Sequence, residues 1–254
     1  SGEVSGQEVV TIGIVTNTLF DSDYNSLNSV QTTNTIQLID TTKPSIFLSA
    51  SISDAIIKGN QNIIFTASSS DVLISPPVLT ITDQSSQTMT ASSTSNSIYF
   101  WQYSWAVPSD VNKIITIGVS GYDLAGNTSI VSSQTSIAYT VDNIIPYIEE
   151  ISMVNDSIIK LKFNEIPLTS ATSTSLLDKN YFSLSTQGST TLTSSTPISV
   201  EQTEKEIKIE FKLNGKPENM QLLTIQLANS IFDVAGNSTS TFYNNNSIEL
   251  LLDE

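Results

Sequence analysis

The feature that most constrains this chain is an internal repeat. A β-rich run ending in aspartate occurs three times: Ile36-Gln37-Leu38-Ile39-Asp40, Ile137-Ala138-Tyr139-Thr140-Val141-Asp142 and Ile248-Glu249-Leu250-Leu251-Leu252-Asp253. The aspartates are 102 and 111 positions apart. Asp40 and Asp142 each precede a proline by four residues, Pro44 and Pro146. Proline lacks the N–H that a ladder needs, so it stops a sheet from continuing. A second repeat runs in phase. Tyr122-Asp123-Leu124-Ala125-Gly126-Asn127 lies 19 residues before Asp142, and Phe232-Asp233-Val234-Ala235-Gly236-Asn237 lies 20 before Asp253. Repetition at domain length means tandem modules, each closing on a terminal strand and a short linker.

The boundaries that follow are 43–143 and 144–254. Residues 1–42 match only the last two strands of such a module, Val9–Val15 and Ser29–Asp40. An isolated two-strand ribbon is marginal in water. These residues are therefore expected to end a preceding domain, or to complete a sheet in a neighbouring subunit by strand addition.

Within the modules the period is that of strands. Val9–Val15, Ile63–Ala67, Ile114–Val119 and Ile158–Phe163 are short and β-branched. Glu206-Ile207-Lys208-Ile209-Glu210-Phe211-Lys212-Leu213 alternates charge with apolar residues, as a half-buried strand does. Turn clusters such as Lys58-Gly59-Asn60, Ser75-Pro76-Pro77 and Asn214-Gly215-Lys216-Pro217 separate the runs. One short helical turn is expected near Ser175–Asn180. The class is all-β, as two sandwiches.

Composition removes whole classes of chemistry. The ten basic residues are all lysines, and Cys and His are absent. No Ser-His or Cys-His nucleophile can be built. No zinc site with His or Cys ligands is possible. A net charge of −15 opposes nucleic acid. No apolar run approaches the roughly 20 residues of a membrane helix. No signal peptide is visible over Ser1–Gly6.

The first module is similar to the bacterial immunoglobulin-like domains of large surface proteins. The residues that carry this are Asp40-Thr41-Thr42-Lys43-Pro44, the aromatic strand Tyr99-Phe100-Trp101-Gln102-Tyr103-Ser104-Trp105 with Val107-Pro108, and Asp123–Asn127. The second resembles the related Ig-like domain of S-layer proteins through Lys162-Phe163-Asn164-Glu165, Asp178–Leu184 and Phe232–Asn237. The resemblance implies tandem immunoglobulin-like β-sandwiches and weighs little on function. Residues 19–23, Leu-Phe-Asp-Ser-Asp, depart from the Asp-x-Ala-Gly-Asn pattern.

The aspartates carry the sharpest chemistry. In a seven-strand sandwich the loop between the last two strands lies beside the incoming linker. That places Asp123 near Asp40 and Asp233 near Asp142. Asp54 and Asp110, in loops at the other end of the first module, are expected to converge with Asp142 and Asp233. Calcium takes six to eight oxygens in irregular geometry, so these six residues are candidate metal ligands. The resemblance adds that calcium at such joints stiffens a rod. The alternative is that Asp123 and Asp233 only cap turns, with Gly126 and Gly236 at positive φ.

The aromatic face of residues 99, 101, 103 and 105 is either a sugar-stacking platform or a sandwich core, and the polar Gln102 and Ser104 opposite favour the core. Glu206 and Glu210 among lysines read as cross-strand charge pairs rather than as catalytic carboxylates. The sequence thus points to a non-enzymatic, calcium-stiffened spacer, stalk or lattice element of a secreted or cell-surface prokaryotic protein. Its expected partners are further Ig-like domains of the same chain or of neighbouring subunits. The alternative is a module that binds a glycan or a surface receptor.

Overall fold

A computed structural model of the chain describes residues 8–13, 20–26, 35–82, 84–95, 98–131, 135–217, 221–242 and 244–250, with the backbone alone for 91–95, 98 and 99. Asp253, Val15 and the start of the expected Ser29–Asp40 strand lie outside the described residues, as does the side chain of Tyr99. The chain divides into two compact units. The first comprises residues 1–53, 62–105 and 115–138; the second comprises 54–61, 106–114 and 139–254. The structure is nearly all β. A short 3₁₀ turn, Lys179–Tyr181, starts where Asp178 accepts from the Asn180 N–H. No helix among the described residues is long and apolar enough to cross a membrane.

Two sheets arise from residues 46–141. One orders Ile46–Ala50, Asn62–Ser69, Ile98–Ala106 and Thr90–Ser95; the other orders Ile56–Ile57, Ser136–Val141, Lys113–Ser120, Val78–Ile81 and Gln87–Thr88. The two-residue period sets which side chains go inside. Ile63, Phe65 and Ala67 are buried while Ile64 is exposed, and Ile115, Ile117 and Val119 are buried while Ile114 is exposed. Ile56–Ile57 pairs in parallel with Thr140–Val141.

The second set of sheets is antiparallel throughout. Ile148–Asn155, Ile158–Phe163, Glu206–Glu210 and Ser199–Thr203 form one sheet, and Phe182–Gln187, Leu222–Leu227 and Ser247–Glu249 the other. Between them Ile159, Leu161, Phe163, Ile207, Ile209, Leu223 and Ile225 make one buried cluster. Burying each such side chain contributes about 1.5–3 kcal/mol. The ion pairs Lys160–Glu206 and Lys162–Glu149, both at 3.4 Å and largely exposed, contribute about 0–1 kcal/mol each. The core decides stability, and the charges keep the outer face wet.

Val9–Thr11 and Thr35–Gln37 pair antiparallel as a separate two-stranded ribbon, and every residue of both strands is exposed.

Candidate metal centre

The two repeated hexapeptides fold into the same loop, bond for bond. The Asn127 N–H donates to Asp123 Oδ1 at 2.8 Å, and its Nδ2 donates to Asp123 Oδ2 at 2.9 Å. Asn237 does the same to Asp233 at 2.7 and 2.7 Å. The glycine N–H closes on the aspartate carbonyl at 3.2 Å in both. Gly126 and Gly236 hold φ of +88° and +84°, which glycine adopts without the steric cost other residues meet. Each asparagine also reaches the incoming linker: Asn127 Nδ2 to the Asp40 carbonyl at 3.2 Å, Asn237 Nδ2 to the Asp142 carbonyl at 2.9 Å.

The linker aspartates are oriented in turn. Thr42 N–H donates to Asp40 Oδ1 at 2.8 Å, and Ile144 N–H to Asp142 Oδ1 at 3.0 Å. A third acid completes each group. Asp40, Asp71 and Asp123 bring one carboxylate oxygen each within 4.8 Å of the others in the first unit; Asp142, Glu165 and Asp233 do so in the second. Asp123 and Asp233 are buried, at 1% and 0% exposure.

The second triad shows the cost of crowding acids. Burial first, and then Asp233 and Asp142, push the Glu165 carboxyl up to about 7, against the opposing hydrogen bond from Asn164. Burial likewise raises Asp233, while the Asn237 bonds lower it and the Asp142 charge adds to the rise. Three clustered carboxylates offer the oxygen donors that a hard divalent ion takes. The donor set therefore fits calcium, with Asp40, Asp71 and Asp123 as holders in one group and Asp142, Glu165 and Asp233 in the other.

Of the six aspartates singled out by sequence, four fall in these triads in the expected pairs. Asp54 and Asp110 are exposed and stand in neither. It is Lys58 and Asn143 that the neighbouring turns employ. Lys58 Nζ donates to the Gly236 carbonyl at 2.8 Å, and Asn143 Nδ2 donates to the Val111 carbonyl at 2.6 Å. The acid that joins Asp142 and Asp233 is Glu165, which follows the strand Ile158–Phe163.

A family profile described as bacterial Ig-like domain matches residues 15–143 and again 138–246. The chain belongs to the bacterial Ig-like domain family. No curated protein matches it. Among solved structures, "Tandem Ig repeats of Dlar" is similar at 9% identity, covering 79% of this chain and 96% of that one, with a TM-score of 0.23.

The third acid of each Ig-like domain was missed in the sequence, and its signal lies in the backbone pairing. Asp71 lies three residues before Ile74, whose N–H donates to the Tyr122 carbonyl; Glu165 lies three before Leu168, whose N–H donates to the Phe232 carbonyl. The two acids are thus equivalent positions.

A third loop was also missed. Residues 20–25, Phe-Asp-Ser-Asp-Tyr-Asn, look like a departure from the pattern, yet they make its bonds. Asn25 N–H donates to Asp21 Oδ1 at 2.9 Å and its Nδ2 to Oδ2 at 3.0 Å. Phe20 bridges Ser26 as Tyr122 bridges Thr128. Tyr24 takes the glycine's place at φ +64°. Asp21 precedes Asp40 by 19 residues, the spacing of Asp123 to Asp142.

The aromatic strand of the first Ig-like domain turns inward. Trp101 and Trp105 are 5% and 3% exposed, and Phe65 packs on Trp105 with ring centroids 6.2 Å apart. These two indoles belong to the core rather than to a sugar platform.

Proposed function

We propose that this chain is a repeat segment of a secreted or surface-attached prokaryotic protein, where its Ig-like domains act as a non-catalytic spacer, stalk or lattice element. The observation that carries the reading is the repeated triad. Tandem Ig-like domains hold three acids at the same positions, and in each case one acid belongs to the incoming linker. Calcium bound there clamps the linker to the domain it enters. Without the ion, three crowded carboxylates repel; with it, the linker loses freedom and each domain is held in a fixed orientation on its own lead-in. Bacterial Ig-like domains typically occur in surface and extracellular proteins, which supports the placement, and extracellular calcium sites are commonly filled only at about 10⁻⁴–10⁻³ M ion.

The same reading assigns residues 43–143 and 144–254 to two Ig-like domains, and residues 1–42 to the last two strands of another. The bonds of the Asp21–Asn25 loop support that last assignment.

Two experiments test the proposal. Antibody raised against residues 43–254 is expected to label intact cells of the source organism; labelling only after permeabilisation contradicts surface placement. Calcium titration of the purified chain is expected to show saturable binding that Asp123→Asn and Asp233→Asn weaken.

A further inference from the structure

The two loops differ in one respect: what covers them. In the second unit Ala235 is 9% exposed and Gly236 is buried. A Cβ added at Gly236 would meet Ala171 Cβ at 3.2 Å and Lys58 Nζ at 3.7 Å. In the first unit the equivalent Ala125 and Gly126 are exposed, and a Cβ at Gly126 meets nothing within 4 Å.

The cover in the second unit is a built feature. Ile57 pairs in parallel with Val141, and Asp142 N–H donates to the Ile57 carbonyl at 2.8 Å. The turn that follows is fixed on several sides. Gly59 N–H donates to Asn143 Oδ1 at 2.6 Å, Asn60 N–H to the Val107 carbonyl at 2.9 Å, and Asn60 itself sits at φ +63°. Gly59 has no room for a side chain, since a Cβ there would lie 2.6 Å from Ser109 Cα. This strand and turn deliver the Lys58 ammonium to the Gly236 carbonyl at 2.8 Å.

The matching place in the first unit is a groove. Gln37, Leu38, Ile39, Asp40 and Ala125 line a space of about 400 Å³. Ile39 stands where Val141 stands, one residue before the linker aspartate, yet Ile39 is 84% exposed and Val141 is 1%. Of its lining, Ile39 and Asp40 are the counterparts of Val141 and Asp142, which Ile57 contacts. Asp40 lines it, and the Asp123 carboxylate lies within 4.8 Å of that of Asp40, so its charge suits an amine.

We propose that this groove seats a strand and lysine-bearing turn, equivalent to Ile56–Asn60, from the Ig-like domain directly ahead in the same chain. The incoming strand pairs in parallel with Leu38–Ile39 and covers Ile39. Its lysine donates to the Gly126 carbonyl. The parallel pair supplies backbone hydrogen bonds, and the lysine fixes the register. The inference rests on the tandem Ig-like reading, but it does not depend on calcium or on where the parent protein resides.

The chain has no cysteine, so single thiols report cleanly. Ala125→Cys and Ala235→Cys are each placed in residues 1–254 and in the full-length parent protein, and maleimide labelling rates are measured on purified, folded samples with chelator and with calcium. In residues 1–254 the thiol at position 125 is expected to react fast and the thiol at position 235 slowly. In the full-length protein the thiol at position 125 is expected to slow roughly tenfold or more, toward the rate at position 235, because thiol attack needs access. A short maleimide–succinimide cross-linker on the Ala125→Cys variant is then expected to capture a lysine that precedes residue 1. An unchanged labelling rate at position 125 overturns the proposal. So does a cross-link that forms only between chains and grows with concentration, which assigns the groove to strand donation by a second copy. Thermal unfolding of both variants at the wild-type melting temperature shows that the substituted proteins are folded, so a negative result counts.

Discussion

Asn127 and Asn237 each hold three things at once: the aspartate four residues before, the closing turn of their own loop, and the carbonyl of a linker aspartate 87 or 95 residues earlier in the chain. One side chain therefore ties the linker to the loop before any ion is considered. The turn stands on these hydrogen bonds alone.

Removing that tie should be costly. Asn127→Ala and Asn237→Ala each delete the amide that donates both to a buried aspartate Oδ2 and to the linker carbonyl. Each is expected to destabilise its domain by about 1–3 kcal/mol, read by denaturant unfolding. A change within error would mean that the linker is held by other contacts.

Gly236→Ala and Gly126→Ala separate backbone strain from crowding. Both force a Cβ into the left-handed region, at about 1–2 kcal/mol. Only the Cβ at position 236 also meets Ala171 at 3.2 Å. Gly236→Ala is expected to lower the melting temperature more than Gly126→Ala.

The second triad gives the protein a pH dependence in chelator. The folded Glu165 carboxyl lies at about 7, above its ordinary 4.5. A raised folded value means that the folded state binds the extra proton, so this contribution is present below about 4.5 and is lost as pH rises to about 7. Asp233 is raised too and acts in the same direction. In chelator the melting temperature is expected to fall between pH 5 and 7.5, and Glu165→Gln is expected to flatten the fall. A melting temperature that rises over that range in the wild type would contradict the account.

The buried indoles make a test of the glycan alternative. Trp101 and Trp105 should emit as buried tryptophans and keep their spectrum against a panel of polysaccharides. A saccharide-dependent shift would reopen the ligand-binding reading.

Much of this was legible in the sequence because strands and turns are local. The alternation in Glu206–Leu213 and in the aromatic strand fixed which face goes inside, and Asp-x-Ala-Gly-Asn marked a loop by residue chemistry alone. The linker pairing Asp40–Asp123 followed from sandwich topology. What was not legible depends on contacts between distant segments. Asp71 and Glu165 sit in runs with little likeness to each other, and only the backbone bonds of Ile74 and Leu168 show their equivalence. Asp54 and Asp110 are expected to converge with Asp142 and Asp233, but their side chains face water. Tyr24 hid the third loop because a non-glycine residue at positive φ breaks the expected pattern while keeping the fold.

The most direct test of the central claim is thermal unfolding of residues 1–254 in excess chelator and in millimolar calcium, at pH 7.5. An ion that binds only the folded state raises the melting temperature with concentration. The account predicts such a rise. It also predicts that Asp71→Asn with Glu165→Gln abolishes the rise, whereas Asp54→Asn with Asp110→Asn leaves it intact. A melting temperature unmoved by calcium, or a rise that survives loss of both Asp71 and Glu165, would contradict it.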